Sequence, residues 1–448
     1  MSRSTLPHRL LLLCCALLPL EGSAQLRTGV YEGAGHVPLV LTGLGFRPDV
    51  VLVKADLSVG GALSISTLPP GITKTLSESG ALVTDGVVSL DEDGFTLTAT
   101  SWRVNRKDTR YTWAAFRADP DELVVGTYLG DGQEDRHVAA LDWRPGLLFI
   151  IAEAEVPLQW RTDAMPTGTS FQAGETPLNT GRILDFDDAG FLLGAHPSVN
   201  AEGTTYHYVA FRERPDGLQV GSYRGDATEG RTVGPPGPAE LVLLKANTST
   251  HALFRPRALE GGSTPYLFAL PHAPDRIAPL GADGFQVSAH PEVNAPDVEH
   301  YYATWSAGPR ARLSAIPEGG TAPLSLQLDG TGSTPGAGAT LAEWHWRQPE
   351  GPAGVRLSET ARQQVTLSHP GRYVFELAIT DSEGRRSAPV RVEVLVNGEV
   401  YRPDAALGCA VASAPPWPVP VLLLLITDTR RRRRELSPPG RDPRRPAR

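Results

Sequence analysis

Three copies of one pattern occupy most of this chain, and they limit what it can fold into more than any other feature. The copies open at Gly29-Val30-Tyr31, Gly126-Thr127-Tyr128 and Gly221-Ser222-Tyr223, with the tyrosines 97 and 95 residues apart (128 − 31, 223 − 128). They close on Asn105, Asn200 and Asn294, each followed eight residues later by an aromatic (Trp113, Tyr208, Tyr302). Three residues further comes a second aromatic (Phe116, Phe211, Trp305). Copies that diverge while keeping their aromatics and glycines point to a shared fold before a shared active site.

The local signals are those of strands. Phe46-Arg47-Pro48-Asp49 leads into Val50–Lys54, Trp143-Arg144-Pro145-Gly146 into Leu147–Ile151, and Gly237-Pro238-Ala239-Glu240 into Leu241–Lys245. Short apolar runs behind a proline turn read as buried strands. Asp93-Gly94-Phe95, Ala189-Gly190-Phe191 and Asp283-Gly284-Phe285 mark a turn into another strand, with glycine free to take positive φ. The last strand alternates as Tyr111-Thr112-Trp113, Tyr206-His207-Tyr208 and His300-Tyr301-Tyr302, which sets rings on one face. Sustained helical periodicity is missing, so the expected class is all-β: three tandem β-sandwich-like repeats.

The recurring residues each admit two uses. Trp113, Tyr208 and Tyr302 belong either to a core or to a stacking platform for sugar rings, and are the candidate ligand-stacking residues. The recurring asparagine caps a turn through its side chain. His196 and His290 align with Ser101, which disfavours a metal site common to the copies and makes them turn or surface residues. No cofactor is expected. Calcium is the one candidate, on Asp91, Asp93, Asp187 and Asp188, but the third copy keeps only Asp283 and calcium wants six or more oxygens. Arg224-Gly225-Asp226 spells an adhesion tripeptide, yet Gly130 and Gly33 at the matching positions assign that glycine to the fold.

The two ends supply an address. Arg3, Arg9, the apolar run Leu10–Leu20 and the small residues Gly22-Ser23-Ala24 read as a signal peptide over residues 1–24. All three cysteines (Cys14, Cys15, Cys409) lie in the terminal segments, so the exported body must be held by ordinary cores and has no cysteine zinc site. Without the terminal segments the body has 31 basic residues (42 less 11) against 46 acidic ones (50 less 4), net −15. That field repels phosphate backbones, and nucleic acid is not expected as a partner. Only four of the 42 basic residues are lysine, a usage typical of GC-rich bacterial genomes.

Ala405 to Thr427 carry no charge, Val421–Ile426 are wholly aliphatic, and Arg430, Arg431, Arg432, Arg433 and Arg434 follow. This is a stop-transfer arrangement, and it places a membrane or sorting segment at 405–434 and a basic tail at 435–448. Gly408-Cys409, the apolar span and the arginines resemble the C-terminal sorting signals of the MYXO-CTERM type, in which a dedicated protease processes the cysteine region. Pro415, Pro416, Pro418 and Pro420 depart from that pattern, which leaves a plain membrane tether or a basic tail as the alternatives.

The repeat pattern as a whole resembles a β repeat of bacterial surface and phage tail-fibre-like proteins, over about residues 27–307. The resemblance implies an exposed β-module and no particular chemistry. From Arg310 the idiom changes. Asp329-Gly330-Thr331-Gly332-Ser333, Trp344-His345-Trp346 and Gly371-Arg372-Tyr373 running into Leu377-Ala378-Ile379-Thr380-Asp381 resemble the PKD domain, an Ig-like β-sandwich found as a spacer and weak binder on extracellular proteins. Arg347-Gln348-Pro349-Glu350-Gly351 stands where that family has a Phe-Gly-Asp-Gly turn.

The expected layout is repeats at 27–118, 122–214 and 218–307, then a PKD domain at 310–396. No nucleophile elbow, zinc-binding helix, phosphate loop or Cys-x-x-Cys occurs, and no catalytic residues are assigned. The expectation is therefore a non-enzymatic protein, exported to the cell surface or outer membrane of a Gram-negative bacterium and anchored through its C-terminal segment. It would bind envelope or extracellular glycan or protein, with a C-terminal processing protease as a further partner. The alternative is an extracellular hydrolase of glycans or other polymers with PKD as its accessory domain. A paired-carboxylate site leaves no local spacing to find.

Overall fold

In a computed structural model the chain is described from residue 25 to 398, apart from residues 78, 282, 307, 337–338, 383 and 388. The expected signal peptide at 1–24, the expected sorting segment 405–434 with Gly408, Cys409 and Arg430–Arg434, and the tail 435–448 lie outside the described residues. The fold is all-β, as expected. Two four-residue helical turns, Pro197–Asn200 and Pro291–Asn294, are the helices among the described residues.

Each repeat is two sheets face to face. In the first, the large sheet runs Gln25–Glu32, Arg110–Arg117, Val50–Ala55, Gly61–Ile65, Thr73–Leu76 and Leu82–Val83, and Leu39–Thr42, Gly94–Leu97 and Val87–Asp91 form the small one. The second repeats this order with Leu123–Leu129, Thr205–Arg212, Pro145–Ala152, Gln159–Thr162, Thr169–Gln172 and Asn179–Thr180. Its small sheet is Arg136–Ala139, Gly190–Leu193 and Ile183–Asp187. The third keeps the first four strands of that order, Leu218–Arg224, Glu299–Ser306, Ala239–Ala246 and Leu253–Pro256, and its small sheet is the pair Arg231–Val233 and Phe285–Val287. The apolar runs behind the proline turns are the buried central strands, hydrogen-bonded on both sides.

The two faces of each large sheet are buried for different reasons. One closes its own sandwich against the small sheet, with Val51, Val53, Phe95 and Trp113 in the first repeat. The other faces its siblings. Leu63, Phe116, Trp160, Phe211, Phe254 and Trp305 belong to one core to which all three repeats contribute. At its centre the equivalent aromatics Phe116, Phe211 and Trp305 make a near-equilateral triangle, with ring centroids 5.2, 5.5 and 5.4 Å apart. A strand buried on both faces reads as a continuous apolar run, which is why these runs do not alternate.

The seams close a ring. Asp56 of repeat 1 accepts from His272 N of repeat 3 (2.7 Å), and its counterpart Asn247 of repeat 3 accepts from Leu178 N of repeat 2 (2.9 Å). Lys74 of repeat 1 donates to Ala152 O and Ala154 O of repeat 2 (3.0 and 2.8 Å). Each copy thus uses two different edges on its two neighbours, the head-to-tail contact that makes a closed ring when the rotation closes.

The last domain is a separate two-sheet sandwich. One sheet holds Ser314–Ile316, Leu324–Asp329 and Arg362–Leu367, and the other Gly319–Thr321, Val390–Asn397, Gly371–Asp381 and Leu341–Glu350. Leu326, Leu328, Tyr373, Phe375 and Val394 fill it. It is tied to the ring by Glu122, at the start of repeat 2, whose carboxylate pairs with Arg310 and with Arg312 (2.6 Å).

Candidate functional site

The recurring residues turn out to be structural, and the way they are used locates the one place where the copies offer something different. Gly29, Gly126 and Gly221 sit in register with Trp113, Tyr208 and Tyr302 on the paired strand. The ring lies across the glycine so closely that a Cβ there would overlap it in all three copies. The other side of each sandwich supplies a phenylalanine edge, Phe95, Phe191 or Phe285, at 5.5, 5.3 and 5.6 Å. Trp113 and Tyr208 are 9% and 4% exposed. Tyr302 is only partly buried. All three rings cover glycine and face the sandwich interiors, and at Trp113 and Tyr208 burial leaves little face open for the sugar stacking expected on Trp113, Tyr208 and Tyr302.

The Gly-x-Tyr tyrosines do a second job. Tyr31, Tyr128 and Tyr223 stack on Tyr111, Tyr206 and His300 at 4.9, 5.1 and 4.9 Å. Their hydroxyls donate to the carbonyls of Val104, Val199 and Val293. Burial raises the pKa of all three phenols. The fully buried asparagines next along staple one end loop to another. Asn105 accepts from Ala34 N and Gly35 N (2.8 and 3.2 Å) and donates to Val37 O and Thr98 O (2.8 and 3.0 Å). Asn200 and Asn294 do the same for Asp131 with Gln133 and for Asp226 with Thr228. His196 and His290 cap the short helices, accepting from Ser198 N and Glu292 N, and Ser101 accepts from Arg103 N in the first copy.

Of the acids considered for calcium, Asp91, Asp93, Asp187 and Asp283 are likewise engaged locally. Asp93 takes Gly43 N and Gly45 N, Asp283 takes Gly237 N, Asp91 takes the Thr96 hydroxyl, and Asp187 meets His137 at 2.9 Å. No three metal-ligating side chains converge among the described residues. In the adhesion tripeptide, Asp226 faces Asn294 and Arg231, and a Cβ on Gly225 would overlap Ala295 O.

What the copies do not share is the exposed crest of this stapled loop. Aligned on the asparagine, repeat 1 has Trp102, Arg103, Arg106 and Lys107 where repeat 2 has Pro197, Ser198, Ala201 and Glu202, and repeat 3 has Pro291, Glu292, Ala295 and Pro296. Residues 101–109 hold three cations and one acid, 196–204 one acid and 290–298 two acids, with histidine taken as neutral. Trp102 is 61% exposed, the one aromatic among the large exposed apolar residues in the described part of the chain. The Arg106 guanidinium lies 4.2 Å from the indole centroid, a cation–π contact. Arg103 reaches Asp85 at 3.4 Å.

The crest is held in place from below. The Tyr111 hydroxyl donates to Trp102 O (3.1 Å) and accepts from Arg106 N (2.8 Å), so one buried phenol fixes the backbone on both sides of the crest. Tyr206 makes the same bridge between Pro197 O and Ala201 N in repeat 2. The support belongs to the repeat, and the indole and cations belong to the first copy. A search for what recurs passes over Trp102. The available signal was the departure of one copy from its siblings at a fixed offset from the asparagine. A hollow on the ring axis is unsuited to chemistry: it measures about 60 Å³ and is lined by carbon, among others from Val50, Phe116, Leu241 and Phe254. Small-molecule sites usually offer about 300 Å³ or more.

A profile of a PKD-domain family matches residues 321–395. No curated protein matches the chain. Among solved structures, the PKD domain from KIAA 1837 protein is 28% identical over 21% of this chain and 91% of that one, with a TM-score of 0.18. The fibronectin(III)-like modules of Clostridium thermocellum CbhA are 12% identical over 40% of this chain and 95% of theirs, with a TM-score of 0.17. The fourth sandwich is thus PKD-like, and the family profile carries that assignment.

Proposed function

We propose that this chain is a non-enzymatic binding protein of the cell surface, in which a rigid three-repeat head is displayed next to a PKD-like domain and anchored through its C-terminal segment. PKD domains are typically extracellular. The observation that carries the reading is the division of labour in the repeats. The recurring polar and aromatic residues are spent on glycine cover, the shared core, loop staples and caps, whereas the one strongly divergent crest exposes an indole and cations. Rigid β scaffolds that vary only in their end loops are suited to recognition. The resemblance of residues 27–307 to surface and tail-fibre-like repeats agrees with this use, and the sorting-type signal at Gly408-Cys409 and Arg430–Arg434 supplies the anchor at the outer membrane.

The test is retention. Purified protein is incubated with envelope and extracellular-matrix fractions of a Gram-negative bacterium, and both bound protein and released fragments are measured. Binding without release of reducing ends or peptides is expected. Fragment release that continues with time would instead establish the polymer hydrolase.

A further inference from the structure

We propose that the crest of repeat 1, with Trp102, Arg106 and Lys107, is a binding site for an acidic polysaccharide built from uronate sugars. One pyranose ring would lie on the indole, and its carboxylate would take the Arg106 guanidinium. This rests on the binding-protein reading above and adds a place and a ligand class to it.

Three features select this ligand. First, the ring: an indole face carries negative quadrupole density, which attracts the polarised C–H groups on a pyranose face and is indifferent to most other surfaces. Second, the charge: three cations in nine residues stand on a body with net −15. A guanidinium pairs with a carboxylate through two parallel hydrogen bonds, and Arg106 is stacked over the indole, so a sugar that takes its place on the ring brings its carboxylate to that guanidinium. Third, the rigidity: Tyr111 and Asn105, both fully buried, fix the loop before any ligand arrives, so little ordering entropy opposes binding.

Other polyanions fit less well. Duplex DNA carries a charge every ~1.7 Å and would be repelled by the rest of the body, whereas a uronate chain carries one charge per sugar. Anionic bilayers are recognised by clusters of about four to eight cations, and the crest offers three with a single large apolar side chain. An acidic peptide would meet the cations but has no use for an isolated flat ring on a convex loop.

The experiment is titration calorimetry on the full chain with polygalacturonate oligosaccharides. The comparison ligands are the fully methyl-esterified oligosaccharide, poly-glutamate, oligo-dT and phosphatidylglycerol vesicles. Polygalacturonate is expected to bind and its neutral ester to bind at least tenfold more weakly. Trp102→Ala should weaken binding at least tenfold. Arg106→Gln with Lys107→Gln should weaken it and flatten its dependence on salt.

The combined W102P/R106A/K107E variant gives repeat 1 the residues that repeat 2 carries at those three positions, and an unchanged urea midpoint is the control that its loss of binding is not misfolding. Polygalacturonate binding that survives this variant would overturn the site. Preference for poly-glutamate, oligo-dT or vesicles would overturn the ligand class. Retention of the triple variant on envelope fractions would leave the general binding reading standing while this inference fails, and loss of retention in the unmodified chain would remove both.

Discussion

At the scale of the residue, the lysines behave least like their type. Of four in the chain, Lys54, Lys74 and Lys245 are fully buried, each with its ammonium turned to backbone carbonyls. Loss of hydration is the main cause that pushes Lys54 and Lys245 down to about 7 and Lys74 to about 8, partly opposed by Asp56, Glu175 and Glu155 respectively. In the unfolded chain a lysine holds its proton to about pH 10.4. Between the two values the unfolded chain binds protons that the folded chain does not, so stability rises with pH from about 7 to about 10. Each fully desolvated lysine contributes on the order of 2–4 kcal/mol to that rise. Urea unfolding at pH 7 and pH 9.5 should show the increase, and Lys54→Met with Lys245→Met should flatten it. An unchanged slope in that double variant would mean the ammonium groups are solvated. On the acid side His272, held mainly by burial at about 4, adds a loss of stability as pH falls from about 6.5 to about 4.

At the scale of the element, the pairing of glycine with an aromatic ring across two strands explains why the copies keep both. In-register aromatic cover of a strand glycine is a known way to restore packing where a side chain is missing. Gly126→Ala would drive a Cβ into the Tyr208 ring and is expected to cost about 2–3 kcal/mol through overpacking. Thr127→Ala, on the exposed side of the same strand, should stay within about 0.5 kcal/mol. Equal urea midpoints for the two variants would refute the cover. Strand positions were legible because proline turns and apolar runs are local signals, and Val50–Lys54, Leu147–Ile151 and Leu241–Lys245 all fall inside central strands. Burial of the alternating rings was one of two readings and needed the opposing sheet to decide it. The seams were illegible. Lys74 looks like a surface cation in a sequence, yet it is fully buried and donates to Ala152 O and Ala154 O of the next copy, contacts set by residues far apart in the chain. Trp102 was missed for the opposite reason, since attention to repetition discards what occurs once.

At the scale of the whole molecule, three tandem copies have become one body because each large sheet keeps a second apolar face that only a sibling can cover. The triangle of Phe116, Phe211 and Trp305 is where that dependence is most concentrated. Trp305 is the odd member, and its indole N–H, buried, finds no acceptor among the described residues. Trp305→Phe removes that orphaned donor, a gain of about 1–3 kcal/mol, but gives up ring volume beside an existing hollow, a loss of similar size. The two should cancel to within about 1 kcal/mol, taking the differences from those same ranges. Trp305→Ala has no such compensation and should cost about 3–5 kcal/mol. The informative readout is where the damage appears. If the ring is one cooperative unit, limited proteolysis of Trp305→Ala will open sites in repeats 1 and 2 as readily as in repeat 3, because the lost side chain supported Phe116 and Phe211 equally. Cleavage confined to residues 218–307 would show instead that each sandwich stands on its own core and the shared axis is only a contact. The first outcome is expected, since Phe116 and Phe211 each lie within 5.5 Å of the ring that is removed.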